Sequence, residues 1–145
     1  MNIPLILLAI HFVADFVLQT DWMATNKSKR WDALALHVSV YSGAFLLWAL
    51  WHYGNEPAAV QFAALTWVTH FATDAVTSLV TSRLWFFKRA DGIWAQADYA
   101  FPKHGQTLVN PWIPEGGNRH WFFVAIGFDQ LIHAATLAAT WRLFA

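Results

Sequence analysis

Four long apolar segments constrain the fold of this chain more than any other feature of its sequence. They cover residues 3–23, 31–53, 58–85 and 120–144, and each reaches the ~20 residues that a helix needs to cross a hydrocarbon core. Hydrophobic residues make up 57% of the chain and charged residues only 12%, about half the charged share of an ordinary soluble domain. The pattern predicts an all-α fold, in which residues 1–145 form a single transmembrane domain built as an integral membrane four-helix bundle.

The basic residues between these segments predict the orientation of the bundle. The first connection holds Lys27, Lys29 and Arg30, and the stretch 88–119 holds four more lysines and arginines, whereas the second connection holds none. By the positive-inside rule, the first and third connections are cytoplasmic, which leaves both termini on the non-cytoplasmic side of a bacterial inner membrane. Three prolines and a Gly-Gly pair predict that the long cytoplasmic loop 88–119 is mostly irregular.

Composition limits which partner molecules and which kinds of metal site are expected. The formal net charge is zero, so nothing in the overall charge favours nucleic acid. There is no cysteine, which excludes disulfides and thiolate metal sites. The expected partners are the lipid bilayer and either a lipid-linked substrate or another membrane protein, and a homo-oligomer stays open.

Histidine and aspartate recur four residues apart inside three of the four segments, a spacing that places both on one helix face. The order is His-x-x-x-Asp in the first and third segments and the reverse in the fourth. The second segment contributes His37, with Tyr41 four residues further on. The three pairs are His11 and Asp15, His70 and Asp74, and Asp129 and His133.

The topology explains why the order reverses. The first and third segments run toward the cytoplasm and the fourth runs away from it, so the three aspartates are predicted to share one layer near the cytoplasmic side. The three histidines then form a second layer about 6 Å deeper, because four helical residues rise by about that distance. His37 follows a connection on the cytoplasmic side and is expected near or just outside the aspartate layer.

The cost of burying these charges indicates what the layers do. Each ionised side chain at the centre of a bilayer costs about 2.5–3.5 kcal/mol, and clustered carboxylates also repel one another. A bound divalent cation would neutralise them, and imidazole with carboxylate is a ligand set that suits zinc, iron or manganese. We expect zinc ahead of the other two. The candidate metal ligands are His11, Asp15, His70, Asp74, Asp129 and His133.

The chemistry of such a centre predicts a metal-dependent hydrolase that is open toward the cytoplasm, acting on a lipid-linked or membrane-delivered substrate. The metal would lower the pKa of a bound water, and a carboxylate or His37 would act as general base. The candidate catalytic residues are therefore Asp15, Asp74 and His37. Two alternatives stay open: a proton or metal-ion relay, and a non-catalytic membrane interaction protein whose polar core only locks the bundle.

A resemblance supports the fold. The run from His11 to Gln19, followed by Asn26-Lys27 and His37, resembles an uncharacterised family of small bacterial and phage membrane proteins, domain-of-unknown-function family 3307. The two later His/Asp segments are similar to the remaining motifs of that family. A looser similarity, carried by His-x-x-x-Asp in membrane helices, is to membrane-bound metal-dependent hydrolases.

Overall fold

The computed structural model describes residues 4–54, 56–89, 94–96, 108–109 and 120–144. Helices account for most of these residues, which confirms the helical architecture predicted from the sequence. Side chains are described in 4–54, 56–81 and 121–144. The elements are α1 (Leu5–Phe12), a π-helical turn (Val13–Val17), α2 (Asp21–Asn26), α3 (Trp31–Tyr53), α4 (Glu56–Trp85), β1 (Phe86–Arg89), β2 (Trp94–Gln96), β3 (Leu108–Val109) and α5 (His120–Phe144).

The first segment is broken, where the sequence predicts one helix over 3–23. The backbone N–H of Leu18 donates to the carbonyl of Val13 at 2.9 Å, an i→i+5 bond that closes the π-helical turn. After two non-helical residues, Thr20 caps α2 by accepting a hydrogen bond from the backbone N–H of Met23 at 3.3 Å, as threonine commonly does at this position. The break separates an apolar α1 from a polar α2.

A tight turn joins α3 to α4 in an antiparallel hairpin. Gly54 ends α3 with φ 58°, and its N–H donates to the carbonyl of Leu50 at 3.2 Å; glycine adopts this left-handed conformation at little cost. Pro57 then lies in the first turn of α4, where its missing N–H removes no helical bond. The observed bounds of α3 equal the predicted 31–53, and α4 begins two residues before the predicted 58.

Three short strands occupy part of the stretch that follows α4, which the sequence predicts to be mostly irregular. They form an antiparallel sheet in the order β2-β1-β3, with Phe87 opposite Ala95 and Lys88 opposite Val109. The remainder of the predicted cytoplasmic loop lies outside the described residues.

The apolar core lies between α1, α3, α4 and α5. Tyr41, Phe45 and Trp48 follow one face of α3, and Phe62 of α4 packs against Phe45 with ring centroids 6.2 Å apart. Burying one large side chain of this kind contributes roughly 1.5–3 kcal/mol. This aromatic core holds together the helices that carry the histidines and aspartates further along their length.

Two described helices are long and apolar enough to cross a membrane. They are Trp31–Tyr53, with a mean hydropathy of 1.7, and Trp121–Phe144, with a mean hydropathy of 1.5. The helical stretch Leu5–Val17 is apolar but shorter.

Candidate metal centre

Four elements direct their polar side chains into one buried cluster. Asp15 comes from the π-helical turn, a rare element that often marks a functional position in a helix. His37 lies six residues after the start of α3, and the other members lie in the second half of α4 and the middle of α5. The cluster consists of Asp15, His37, His70, Asp74, Asp129 and His133.

The Nε2 atom of His37 lies at the centre of the closest contacts. It is 3.1 Å from Asp15 Oδ1, 3.2 Å from Asp74 Oδ2 and 3.2 Å from His70 Nε2. One ring nitrogen offers either one proton or one lone pair, so it cannot hydrogen-bond to all three partners at once. The arrangement is typical of ligand atoms that converge on a shared cation.

The distances from the two imidazole nitrogens to these carboxylate oxygens are those expected between ligands of one ion. His70 Nε2 also lies 3.6 Å from Asp15 Oδ1 and 3.7 Å from Asp74 Oδ2. Ligands at ~2.1 Å from a tetrahedral zinc ion are about 3.4 Å apart, and five separations within the set lie between 3.1 and 3.7 Å. Asp15, His37 and His70 therefore offer three donor atoms spaced as the ligands of one metal would be, and Asp74 Oδ2 extends this set on the side of the two imidazoles.

A second donor set adjoins the first through Asp74. Its Oδ1 atom lies 3.1 Å from His133 Nε2, whereas its Oδ2 atom belongs to the first set. His133 Nε2 also lies 3.3 Å from Asp129 Oδ1. The two oxygens of Asp74 thus face different histidines, which is the geometry that a carboxylate bridging two neighbouring cations requires. The buried groups are positioned to hold a metal ion.

Gln130 hydrogen-bonds to two of the carboxylates and thereby orients them. Its amide nitrogen donates to Asp15 Oδ2 at 2.8 Å and to Asp129 Oδ2 at 3.1 Å. Its Oε1 atom must therefore accept, and it lies 2.9 Å from His11 Nε2. That contact assigns the ring proton of His11 to Nε2 and leaves Nδ1 to accept from the Tyr41 hydroxyl at 2.9 Å. Partners of this kind fix the direction of carboxylates around a metal.

Lys27 brings a positive charge into the cluster from the connection between α2 and α3. Its ammonium lies 2.9 Å from Asp74 Oδ2 and 3.4 Å from His37 Nε2, with 17% of the side chain exposed. Burial alone would lower the pKa of Lys27, but the carboxylates of Asp74 and Asp15 outweigh burial and raise it. The ammonium therefore stays charged and offsets part of the negative charge of three carboxylates.

The structure brings together five of the six predicted metal ligands and also His37, one of the three predicted catalytic residues. His11 is the member that lies apart, because both of its ring nitrogens contact Tyr41 and Gln130. The predicted histidine and aspartate layers are not separate at the level of their side chains. His133 Nε2 lies 3.1 Å from an oxygen of Asp74 and 3.3 Å from an oxygen of Asp129. Asp15 and Asp74, the other predicted catalytic residues, lie among the donor atoms.

Lys27 entered the predicted orientation of the bundle and the family resemblance, but it was not expected in the site. The signal that could have found it is its position in the opening motif, between the His/Asp stripe of the first segment and His37. Gln130 follows Asp129 directly in the sequence, and this place beside a predicted ligand is the signal that indicates its role.

Comparison with known proteins identifies the family. A family model described as "Protein of unknown function (DUF3307)" matches residues 3–145. The chain belongs to the DUF3307 family. This confirms the resemblance carried by the opening motif and the later His/Asp segments, whereas the looser similarity to membrane-bound hydrolases stays a prediction. No curated protein and no solved structure matches this DUF3307 chain, so its function must be argued from the site.

Proposed function

We propose that this chain is a metal-dependent hydrolase of the bacterial inner membrane, with its centre open toward the cytoplasm. The observation that carries the proposal is the convergence of His37 Nε2, His70 Nε2 and two carboxylate oxygens at separations of 3.1–3.7 Å. Buried carboxylates at this density need positive charge nearby to offset their cost, and a bound cation would supply it.

The apolar surface of α5 supports the membrane location. The helix is strongly apolar, yet large side chains point outward along it, including Phe128 at 61%, Leu131 at 64% and Leu143 at 72% exposure. A soluble monomer rarely exposes a continuous apolar surface of this kind. Lipid chains covering this face account for its composition, and the basic connection after α2 then lies at the cytoplasmic surface.

We assign the first ion to Asp15, His37 and His70, whose donor atoms lie within 4.8 Å of one another, with Asp74 Oδ2 beside them. Three protein ligands leave the fourth position of a tetrahedral ion for a water molecule. Zinc is the leading candidate, because imidazole and carboxylate ligands at tetrahedral spacing suit it, and iron or manganese accept the same donors. An ion held there would act as a Lewis acid and would lower the pKa of a bound water. The second donor set, His133 with the other oxygen of Asp74, provides room for a second ion.

The residues beside the first donor set complete the proposed chemistry. Asp129 is the most exposed of the three carboxylates, at 13% against 4% for Asp15 and 1% for Asp74. We assign it the role of accepting the proton of the attacking water. Asp15, Asp74 and His37, expected from the sequence to be catalytic, act in this scheme by holding the ion.

One observation favours a second candidate function, a charge-balanced structural core. The ion pair between Lys27 and Asp74 neutralises one carboxylate without a metal, and protonated histidines would neutralise the others. Such a core would lock the bundle of a membrane interaction protein. The two candidates differ in a measurable way, because a structural core has no metal requirement.

The test is hydrolysis by the purified full-length protein in lipid nanodiscs, before and after metal removal by a chelator. Phosphoester, carboxylic ester and amide lipids are offered in turn. The proposal predicts turnover of one class that is lost with the chelator and restored by zinc, manganese or iron. Metal-loaded protein that turns over none of the three classes would contradict the hydrolase proposal and favour the structural core.

A further inference from the structure

The ammonium group of Lys27 lies among the atoms that surround the proposed position of the first metal ion. It is 3.4 Å from His37 Nε2, which is one of the three assigned donor atoms, and 2.9 Å from Asp74 Oδ2 beside them. The carboxylate of Asp15, a second assigned ligand, also acts on its charge. A side chain from the connection between α2 and α3 therefore contacts the same polar atoms that a metal ion would use.

The contact with His37 and a metal ion on the same nitrogen exclude each other. An ammonium group has only protons to donate, so its hydrogen bond to Nε2 uses the single lone pair of that nitrogen. A metal ion needs the same lone pair, because imidazole binds metals in its neutral form. Two cations this close in a buried site also repel each other strongly, since little water screens them. One cation at a time can use this nitrogen.

The backbone that carries Lys27 is held in place by hydrogen bonds. The N–H of Lys27 donates to the carbonyl of Met23 at 2.8 Å, and those of Lys29 and Arg30 donate to the carbonyl of Asn26 at 2.8 and 2.9 Å. The lysine side chain, by contrast, is a flexible four-carbon stem. The ammonium can therefore leave the donor atoms by rotation about side-chain bonds, while the connection keeps its conformation.

A cavity beside Lys27 provides space for the displaced ammonium. Its volume is about 130 Å³, and Lys27 and Ser78 line it together with Lys29 and Arg30. The last two residues are exposed, and Arg30 is already paired with Asp32 at 2.6 Å. The cavity thus leads from the donor atoms to the exposed surface of the connection, where water can solvate the ammonium.

We propose that Lys27 is an internal competitor for the first metal ion: its ammonium holds the donor atoms until an ion displaces it into the cavity. This competition rests on the metal site of the proposed function and not on hydrolysis. Lys27 then sets the affinity of the site, because an ion must replace the ammonium contacts before it can bind. Removal of Lys27 tightens metal binding, whereas removal of a residue that supports the site would weaken it.

The first test measures the zinc affinity of the full chain in lipid nanodiscs, by competition with a chromophoric chelator. We expect Lys27→Met to bind zinc at least about ten-fold more tightly than the wild type, because a competing charged hydrogen bond is lost. Lys29→Met removes an exposed cation from the same connection and is the matched control, which should bind zinc as the wild type does. An affinity of Lys27→Met equal to or below that of the wild type would overturn the competition.

The second test follows Lys27 in the wild type, by labelling with an amine-reactive reagent and mass spectrometry of each modified lysine. Zinc should make Lys27 react several-fold faster, because the ammonium moves to water, and should leave the rate of Lys29 unchanged. Zinc that binds without changing the rate of Lys27 would overturn the displacement, and repulsion through space would then explain any gain in affinity. No zinc binding by either the wild type or Lys27→Met would contradict the metal site itself and, with it, the competition.

Discussion

The aromatic core and the metal centre are built from the same helices, yet different forces hold them together. Along one face of α3, His37 faces the polar cluster, Tyr41 lies at the boundary, and Phe45 and Trp48 belong to the core. On α4 the order runs the other way, from Phe62 to His70 and Asp74. The core gains free energy from burial alone, whereas the cluster buries charges that cost free energy unless they are paired. The comparison teaches that the core holds the fold, whereas the cluster consists of buried groups that are positioned to hold a metal ion.

The largest expected effect is on hydrolytic activity, which should depend directly on the polar cluster. Asp74→Asn removes a charge from both donor sets, and we expect hydrolysis to fall at least about a thousand-fold, because metal-activated water supplies much of the rate. Asp21→Asn, the same change at an exposed position in α2, should leave hydrolysis unchanged. Initial rates at saturating substrate measure both. An active Asp74→Asn protein would contradict this account, because hydrolysis would then not depend on the polar cluster.

Stability should depend most on the aromatic core. Phe45→Ala is expected to lower the free energy of unfolding by about 3–5 kcal/mol, the usual cost of removing a fully buried phenylalanine. Phe128→Ala, on the exposed face of α5, is the control and should have a much smaller effect. Unfolding in mixed detergent micelles gives both values. If Phe45→Ala also abolished metal binding in folded protein, the two regions would not be separable.

Lys27 should matter to stability only while the centre lacks a metal. Lys27→Met leaves Asp74 buried without its partner, so we expect metal-stripped protein to lose about 3 kcal/mol or more of unfolding free energy. Added zinc should restore most of that loss, because the ion replaces the missing positive charge. Thermal melts with and without zinc measure this, with Lys29→Met as the exposed control. A loss that zinc does not reduce would favour the structural core.

A substitution at Tyr41, which lies between the aromatic core and the polar cluster, should give the smallest effect. Tyr41→Phe keeps the ring that stacks on His70 at 3.7 Å and removes only the hydroxyl that contacts His11. We expect about 1 kcal/mol, the typical worth of one hydrogen bond, seen as a roughly five-fold weaker zinc affinity in a competition titration. An affinity equal to that of the wild type would show that the His11 and Gln130 contacts do not orient the carboxylates.

Much of the site could be predicted from the sequence, because a four-residue spacing fixes which side chains share a helix face. Asp15, His70, Asp74, Asp129 and His133 follow from that rule alone. The break in the first segment could not be predicted, since the π-helical turn depends on one backbone hydrogen bond between Leu18 and Val13.

The two residues whose roles changed illustrate a different limit. His11 shares the stripe with Asp15, but its rotamer is decided by Tyr41 and Gln130, which lie far away in the sequence. Lys27 lies in a short connection, where no periodicity indicates the direction of a side chain. Contacts between distant segments decide both positions, and a single sequence contains no direct signal of them.

The most direct test of the central claim is the metal content of detergent-purified protein, measured by inductively coupled plasma mass spectrometry after equilibration with zinc. Wild type, Asp74→Asn and Asp21→Asn are compared, with circular dichroism to confirm that each is folded. The account predicts one or two zinc ions per chain in the wild type and in Asp21→Asn, and none in folded Asp74→Asn. No stoichiometric metal in the wild type, or equal metal in all three proteins, would contradict it.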